Sequence, residues 1–371
     1  AALSSALDQA RRTSPISAPP IQRVTRDKPI PLSFAQERMW FLHQLAPSDH
    51  AYHIPITMQY QQAINQNALQ KAIEYLVMRH ESLRTIFPAR GGVPRQEIVA
   101  PKPFTINEID LSSLPPAKQE MIVTQLVQAE ITLPFDLATE PPWRFTLFRL
   151  NDEFYVLHFA YHHIIFDQWS AAVLWQELNA LYQAYLQDES PALVPLEIQY
   201  IDFSVWQRDW LQGPVLAALL DYWRNQLAGI SSLNLPTDHT RPLILTYKGA
   251  TEILPLSPAQ ADALRAFSRR SQVSPFMLML AVFKMLLARY AGQTDIAVGV
   301  PVANRHYLAI ESTIGVFVNT LVVRSDVDDS LTFSQLLERV RDNLLDAYAH
   351  QDLPFEKLVS EIVQTRDRSH A

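Results

Sequence analysis

Apolar positions in "ALQKAIEYLVMRH" fall at Leu69, Ala72, Ile73, Leu76 and Val77. This i, i+3, i+4, i+7, i+8 spacing gathers them on one face of a helix. "LRTIF", directly after it, reads as a strand. "EFYVLHFAYHH" is a strand-length run rich in aromatic and branched residues, buried or half-buried. "SAAVLWQELNALYQAYL" returns to helical spacing from about Ser170. "PFMLMLAVFKMLLARY" is apolar on nearly every side. Ser274 and Pro275 supply its N-cap and first turn, and Gly292 its stop. It is short for a bilayer and carries Lys284 and Arg289, so the expectation is a buried helix. "DIAVGVPV" and "LVVRSDV" are strand-like. Thr332 and Gln335 make a capping box for a helix carrying Leu336, Leu337, Val340 and Leu344. Helices and strands mix without strict βαβ alternation, which predicts an α/β (α+β) chain of two lobes, each a sheet with packed helices.

The ends read differently. Residues 1–12 have the look of a short amphipathic helix, and the proline-rich 13–31 of an extended linker. The expectation is the tail of a preceding domain plus a tether. With 371 residues, 48% of them hydrophobic, the chain can build two substantial cores. Net charge is −7 with Lys and Arg scattered, so no basic stripe suggests nucleic acid. The absence of cysteine excludes disulfides, thiolate metal sites and a Cys nucleophile, and fits a cytoplasmic setting. The start does not read as a signal peptide, and no membrane association is expected.

Candidate chemistry centres on "AYHHIIFDQWS" (160–170). On a strand His162 and His163 point to opposite faces, which argues against both ligating one metal. Asp167 stands where a carboxylate caps a helix or holds an arginine. By itself the pattern leaves two readings open: a strand end with Asp167 or Ser170 as N-cap, or a histidine that carries protons near neutrality. Nucleophile-elbow, Walker, dinucleotide and zinc-protease motifs are missing. "RGGV" (90–93) reads as a hairpin turn rather than a phosphate loop.

Seven stretches together resemble the condensation domains of nonribosomal peptide synthetases. They are "SFAQERMWFL" (33–42), "RHESLRTIF" (79–87), "HHIIFDQ" (162–168), "YIDFSVWQR" (200–208), "IGVFVNTLVVR" (314–324), "HQDLPFEKLV" (350–359) and "RDRS" (366–369). Their order along the chain makes the resemblance specific. It implies a chloramphenicol acetyltransferase-like fold: two lobes in a V, with a tunnel between them. It implies a division into a carrier-domain tail and linker (1–30), an N-terminal lobe (31–198) and a C-terminal lobe (199–371). The latter is expected to be cut short, because family members continue beyond "RDRS".

The resemblance also implies amide formation between an upstream acyl or peptidyl thioester and the amine of a downstream aminoacyl thioester. Both would ride on phosphopantetheine arms of carrier domains, next to an adenylation domain, with no cofactor or metal of the domain's own. His163 corresponds to the central active-site residue, His162 to a supporting one, and Asp167 to a structural aspartate bonded to an arginine. Arg305 in "VANR" is the preferred partner, with Arg79 and Arg84 as alternatives in buried pairing. Asn319 is expected to cap a strand or line the tunnel. Trp169, Ser170, Tyr200 and Trp206 are tunnel candidates, although the core is the favoured place for Tyr200 and Trp206.

Gln168 departs from the family motif, which ends in glycine there. A glycine suits positive φ or close backbone approach, and glutamine at positive φ would cost roughly 1 kcal/mol or more. Three consequences stay open: a tolerated change, an unusual donor such as a polyketide-derived acyl chain, or an impaired domain serving as a carrier-docking platform. Ester formation on the same fold is a further alternative. The intact histidine motif resembles most the type taking L-configured donors.

Overall fold

The computed structural model describes residues 18–240 and 249–362. The helix expected over 1–12, the start of the linker and the "RDRS" stretch lie outside the described residues. The chain divides into two compact units. One comprises Pro19–Trp210 with Ala303–Val318; the other takes Leu211–Val302 and the chain from Asn319 onward. This differs from a cut at residue 198, because residues 199–210 stay with the first unit and 303–318 returns to it.

In the first unit Ser33 and Gln36 open α1 (Phe34–Leu45) with a reciprocal capping box. After β1 (His53–Tyr60), Asn65 caps α2 (Gln66–Arg79). That helix buries Leu69, Ala72, Ile73 and Leu76, as the apolar spacing requires. The strand expected over "LRTIF" shrinks to β2 (Thr85–Ile86) behind a 3-10 turn, Glu81–Arg84. One bond is local and one distant: Thr85 Oγ1 donates back to Glu81 O at 2.7 Å, and Glu81 N is taken by Gln199 Oε1 at 3.0 Å.

β3 (Ala89–Arg90) and β4 (Val93–Pro94) form the hairpin expected of "RGGV". Gly91 and Gly92 have φ of 60° and 81°, a turn that demands glycine-like backbone. β5 (Glu97–Ile98) pairs with β2. Then come β6 (Asn107–Asp110), α3 (Pro116–Thr132), β7 (Trp143–Arg149), β8 (Tyr155–His162), α4 (Gln168–Leu186) and α5 (Tyr200–Trp210).

The main sheet runs β1-β8-β7-β6, antiparallel except for the parallel β6–β7 pair. β8 is an inner strand, and all eight of its residues are buried. Alternation explains this: Phe159 meets Trp175 of α4 on one face, while His158 on the other lies 3.5 Å from Glu130 of α3. The described part of the linker is extended, as expected, but fastened. Pro19 O accepts from Trp206 Nε1, Val24 N donates to Asp202, and Arg26 bridges Glu81 and Asp202.

The second unit contains α6 (Gly213–Leu227), α7 (Pro258–Arg270), α8 (Pro275–Ala291), β9 (Asp295–Val302), β10 (Asn319–Asp326), α9 (Phe333–Ala349) and α10 (Phe355–Ile362). β9 and β10 pair antiparallel, with Asn319 opposite Val302. Its core gathers Trp223, Leu278, Ala281, Ile296, Val300, Leu321, Leu337 and Val340. Both caps of α8 are as expected, with Ser274 Oγ accepting from Met277 N and Gly292 left-handed at φ 64°. Its burial is not as expected. One face is buried, whereas Phe276, Met279, Phe283 and Leu286 are each about half exposed and Tyr290 more so. No single helix among the described residues is long and apolar enough to cross a membrane.

Candidate active site

β8 ends at His162 and the chain turns at once into a 3-10 helix, His163–Ile165. The switch is driven by His162 itself. Its Nδ1 accepts from Ile164 N at 3.1 Å, a bond that needs this nitrogen unprotonated and the backbone folded back. The His162 ring is buried among His43, Tyr52, His53 and Phe135, with centroids 5.6–6.3 Å away. Burial, together with His43, His53 and His163 nearby, holds its pKa well below the ordinary imidazole value.

His163 is half-buried. Its backbone N–H donates to Tyr52 O at 2.8 Å. Its Nδ1 is buried with no hydrogen-bond partner among the described residues.

Asp167 stands just after the His163–Ile165 turn. It is the N-cap of α4: Oδ1 accepts from Ser170 N at 2.8 Å. The same oxygen lies 3.0 Å from Arg305 Nη2, and Oδ2 accepts from Phe317 N at 2.9 Å. Both oxygens are therefore committed, and neither orients His163 as a triad carboxylate would. Asp167 thus does both things its position allowed, capping a helix and holding an arginine.

The partner is Arg305, and not Arg79 or Arg84. Arg305 Nη1 donates to Ile310 O at 2.7 Å and Thr313 O at 2.5 Å, and its guanidinium lies 4.1 Å from the centre of the Phe317 ring. Burial pulls its pKa below the ordinary value, while Asp167 works against that. Arg79 pairs instead with Glu177 at 3.0 Å, the buried pairing expected of it, and Glu177 also takes His80 Nε2 at 2.7 Å. Arg84 reaches Val99 O at 3.4 Å and approaches Glu81 at 3.9 Å.

The proposed tunnel candidates separate. Ser170 is wholly buried: its hydroxyl is 2.7 Å from Asp167 Oδ1 and 2.8 Å from Gly315 O, and it accepts from Arg305 Nη2 and Gly315 N. Tyr200 is buried, its hydroxyl 2.7 Å from Ser33 Oγ and donating to Val316 O at 2.9 Å. Trp206 packs with Phe203, Trp210 and Tyr307. These three are core residues. Only Trp169 is open, 43% exposed, with Nε1 donating to Glu311 O at 2.9 Å.

Gln168 is also exposed, and it is the first residue of α4 on helical backbone. Its φ is not positive, so glutamine costs nothing there in backbone strain. Asn319 belongs to the second unit, where Nδ2 donates to Gln351 O and Leu353 O and Oδ1 accepts from Phe355 N. It fastens the "HQDLPF" loop.

Sequence reasoning missed Gln36. Its Nε2 donates to Ile164 O at 3.1 Å, in the turn that begins with His163. The one visible signal, a Ser-x-x-Gln capping box, accounts for its oxygen and gives no hint of what its nitrogen does.

The family model of the Condensation domain matches residues 26–371. One of the linear gramicidin synthase proteins of Brevibacillus parabrevis is 44% identical over 359 residues, covering 96% of this chain and 5% of that protein. Phosphinothricin tripeptide synthetase PhsC of Streptomyces viridochromogenes is 40% identical over 350 residues, 94% of this chain and 32% of the synthetase. The chain thus spans a small part of these relatives. Among solved structures, the X-domain from teicoplanin biosynthesis matches with a TM-score of 0.84 at 28% identity, over 95% of this chain and 78% of that one. The first condensation domain of the calcium-dependent antibiotic synthetase shares the fold, with a TM-score of 0.75 at 21% identity over 91% and 79% of the two chains. The mixed α/β fold, the ordered motifs and these matches lead to one assignment: the chain belongs to the condensation domain family of nonribosomal peptide synthetases.

Proposed function

We propose that this domain forms amide bonds between two carrier-bound thioesters. The amine of the downstream aminoacyl group attacks the upstream thioester carbonyl. The C–N bond forms, the C–S bond breaks, and the amine's proton ends on the departing phosphopantetheine thiol. The partners are an upstream and a downstream carrier domain within a cytoplasmic synthetase that includes an adenylation domain.

One observation carries the assignment of roles. Of the three motif side chains, His162 and Asp167 are buried and committed, whereas His163 is only half-buried. His163 is the side chain with capacity left for a reacting amine. Because both Asp167 oxygens are bonded elsewhere, it serves chiefly to orient that amine and to stabilise charge developing in the tetrahedral intermediate. Modest help suffices, because a thioester is already activated and tethering replaces a bimolecular encounter. Asp167 and Arg305 are structural, and Gln168, free of strain, is a tolerated change.

The test is a reaction of the purified domain with an acyl-loaded donor carrier and an aminoacyl-loaded acceptor carrier, followed by mass spectrometry of the acceptor arm. A hydroxyacyl acceptor run in parallel distinguishes ester from amide formation. Transfer to the amine supports the proposal. Carrier binding without transfer to either acceptor supports a docking platform instead.

A further inference from the structure

We propose that Gln36, 128 positions before Ile164, is a positioning residue for His163, an inference that rests on the role proposed for that histidine. The turn His163–Ile165 is a single 3-10 turn, too short to hold its own shape. Its geometry is imposed from outside at three backbone atoms. His163 N is held by Tyr52 O at 2.8 Å, Ile164 N by His162 Nδ1 at 3.1 Å, and Ile164 O by Gln36 Nε2 at 3.1 Å. The first two come from the turn just before β1 and from the preceding residue. Gln36 alone among the three reaches the turn with a side chain from a different helix.

The orientation of the Gln36 amide is dictated by its surroundings. Ser33 N–H points at one end and must meet an acceptor, so that end is Oε1, at 3.1 Å. The amide nitrogen then faces two acceptors, Ile164 O and Gln96 Oε1, the latter at 3.2 Å. Gln96 cannot rotate to offer its nitrogen instead, because Nε2 is spent on Pro31 O and Ser204 Oγ, both at 2.8 Å. Gln36 is 1% exposed, so no water substitutes for a lost bond. The result is a rigid link from the first turn of α1 to the peptide that follows His163. Capping α1 needs only the Gln36 oxygen, and the two donors answer to nothing in α1.

Two variants separate positioning from stability. Gln36→Glu keeps the shape and the capping oxygen but loses the amide donors, and Gln36→Met keeps only the approximate shape. Asn65→Ala removes the cap of α2, away from the site, and reports how far a general loss of stability lowers turnover. Turnover is measured with loaded carriers at saturating acceptor. In parallel, isotope-labelled histidine is followed by NMR, with the His163 signal identified by its loss in His163→Ala.

The expected result is a kcat about 10- to 100-fold down for both Gln36 variants, with KM for the acceptor carrier within about twofold. The His163 imidazole signals should shift, with those of exposed His239 in place. A kcat no lower than that of Asn65→Ala, with His163 signals unmoved, overturns the proposal and leaves the assigned function standing. Shifted His163 signals in a protein whose wild type makes no amide support the positioning role and overturn the function.

Discussion

Arg305 Nη2 and Asp167 Oδ1 lie 3.0 Å apart across 138 positions of sequence, with both side chains at most 3% exposed. Asp167 begins α4 directly after the His163 turn, and Arg305 belongs to the 303–318 segment that returns to the first unit. The pair therefore fastens a sequence-distant segment to the start of α4. Ser170 and the Phe317 backbone fill the remaining bonding capacity of the carboxylate. Breaking such a pair is costly because it strands a charge without water.

Arg305→Met should lower stability by about 3–5 kcal/mol, since Asp167 keeps its burial and loses its counter-charge. Asp167→Asn should cost less, because its amide oxygen still caps Ser170 N. Equilibrium denaturation of the two single variants and the double variant measures both. A loss below about 1 kcal/mol for Arg305→Met would contradict the clamp.

Gly315→Ala should be disruptive although it adds one methyl. A Cβ at Gly315 would lie 2.0 Å from Tyr200 Cδ2. The ring is held in place by the bonds of its hydroxyl to Ser33 and Val316. The expected loss is about 1–3 kcal/mol, read as a lower thermal midpoint. An unchanged midpoint would mean that the ring moves freely.

Lys284 should make stability rise with pH above neutrality. Its ammonium is wholly buried, donating to Val323 O at 2.7 Å and Ser325 Oγ at 2.8 Å. Burial lowers its pKa to about 7, with Asp295 opposing. Between that value and the ordinary 10.5, the unfolded chain binds more protons than the folded one, so stability rises with pH. Denaturation at pH 7 and 9.5 should differ by up to about 3 kcal/mol, with Lys284→Met removing the difference. Above pH 10, buried Tyr161 and Tyr222, pushed up by their burial, act in the opposite sense.

Gln168→Gly should change the rate of amide formation by less than about twofold and cost about 0.5–1 kcal/mol of stability, because glycine weakens the first turn of α4. A large gain in rate would instead favour the reading that this glutamine impairs the domain.

What the sequence revealed follows the range of the interactions involved. The helix of Leu69, Ala72, Ile73 and Leu76 and the caps at Ser274 and Thr332 depend on neighbours within a few positions, and all were legible. The Arg305–Asp167 pair was legible only through the family resemblance, since no local signal joins residues so far apart. Gln36 was hidden because its capping role accounted for it. The half-exposed α8 was misread because apolar composition reports what a helix can bury, and not what packs against it. The backbone at Gln168 was not legible from the motif glycine alone, because the Asp167 cap sets helical backbone there.

Replacing the His163 imidazole with a methyl, and supplying both loaded carriers, tests the central claim most directly. His163→Ala should fold with a thermal midpoint near that of wild type, because no hydrogen bond to its Nδ1 is lost. It should bind both carriers and lower amide formation at least about 100-fold. A folded His163→Ala protein that joins the two substrates at the wild-type rate would contradict the account.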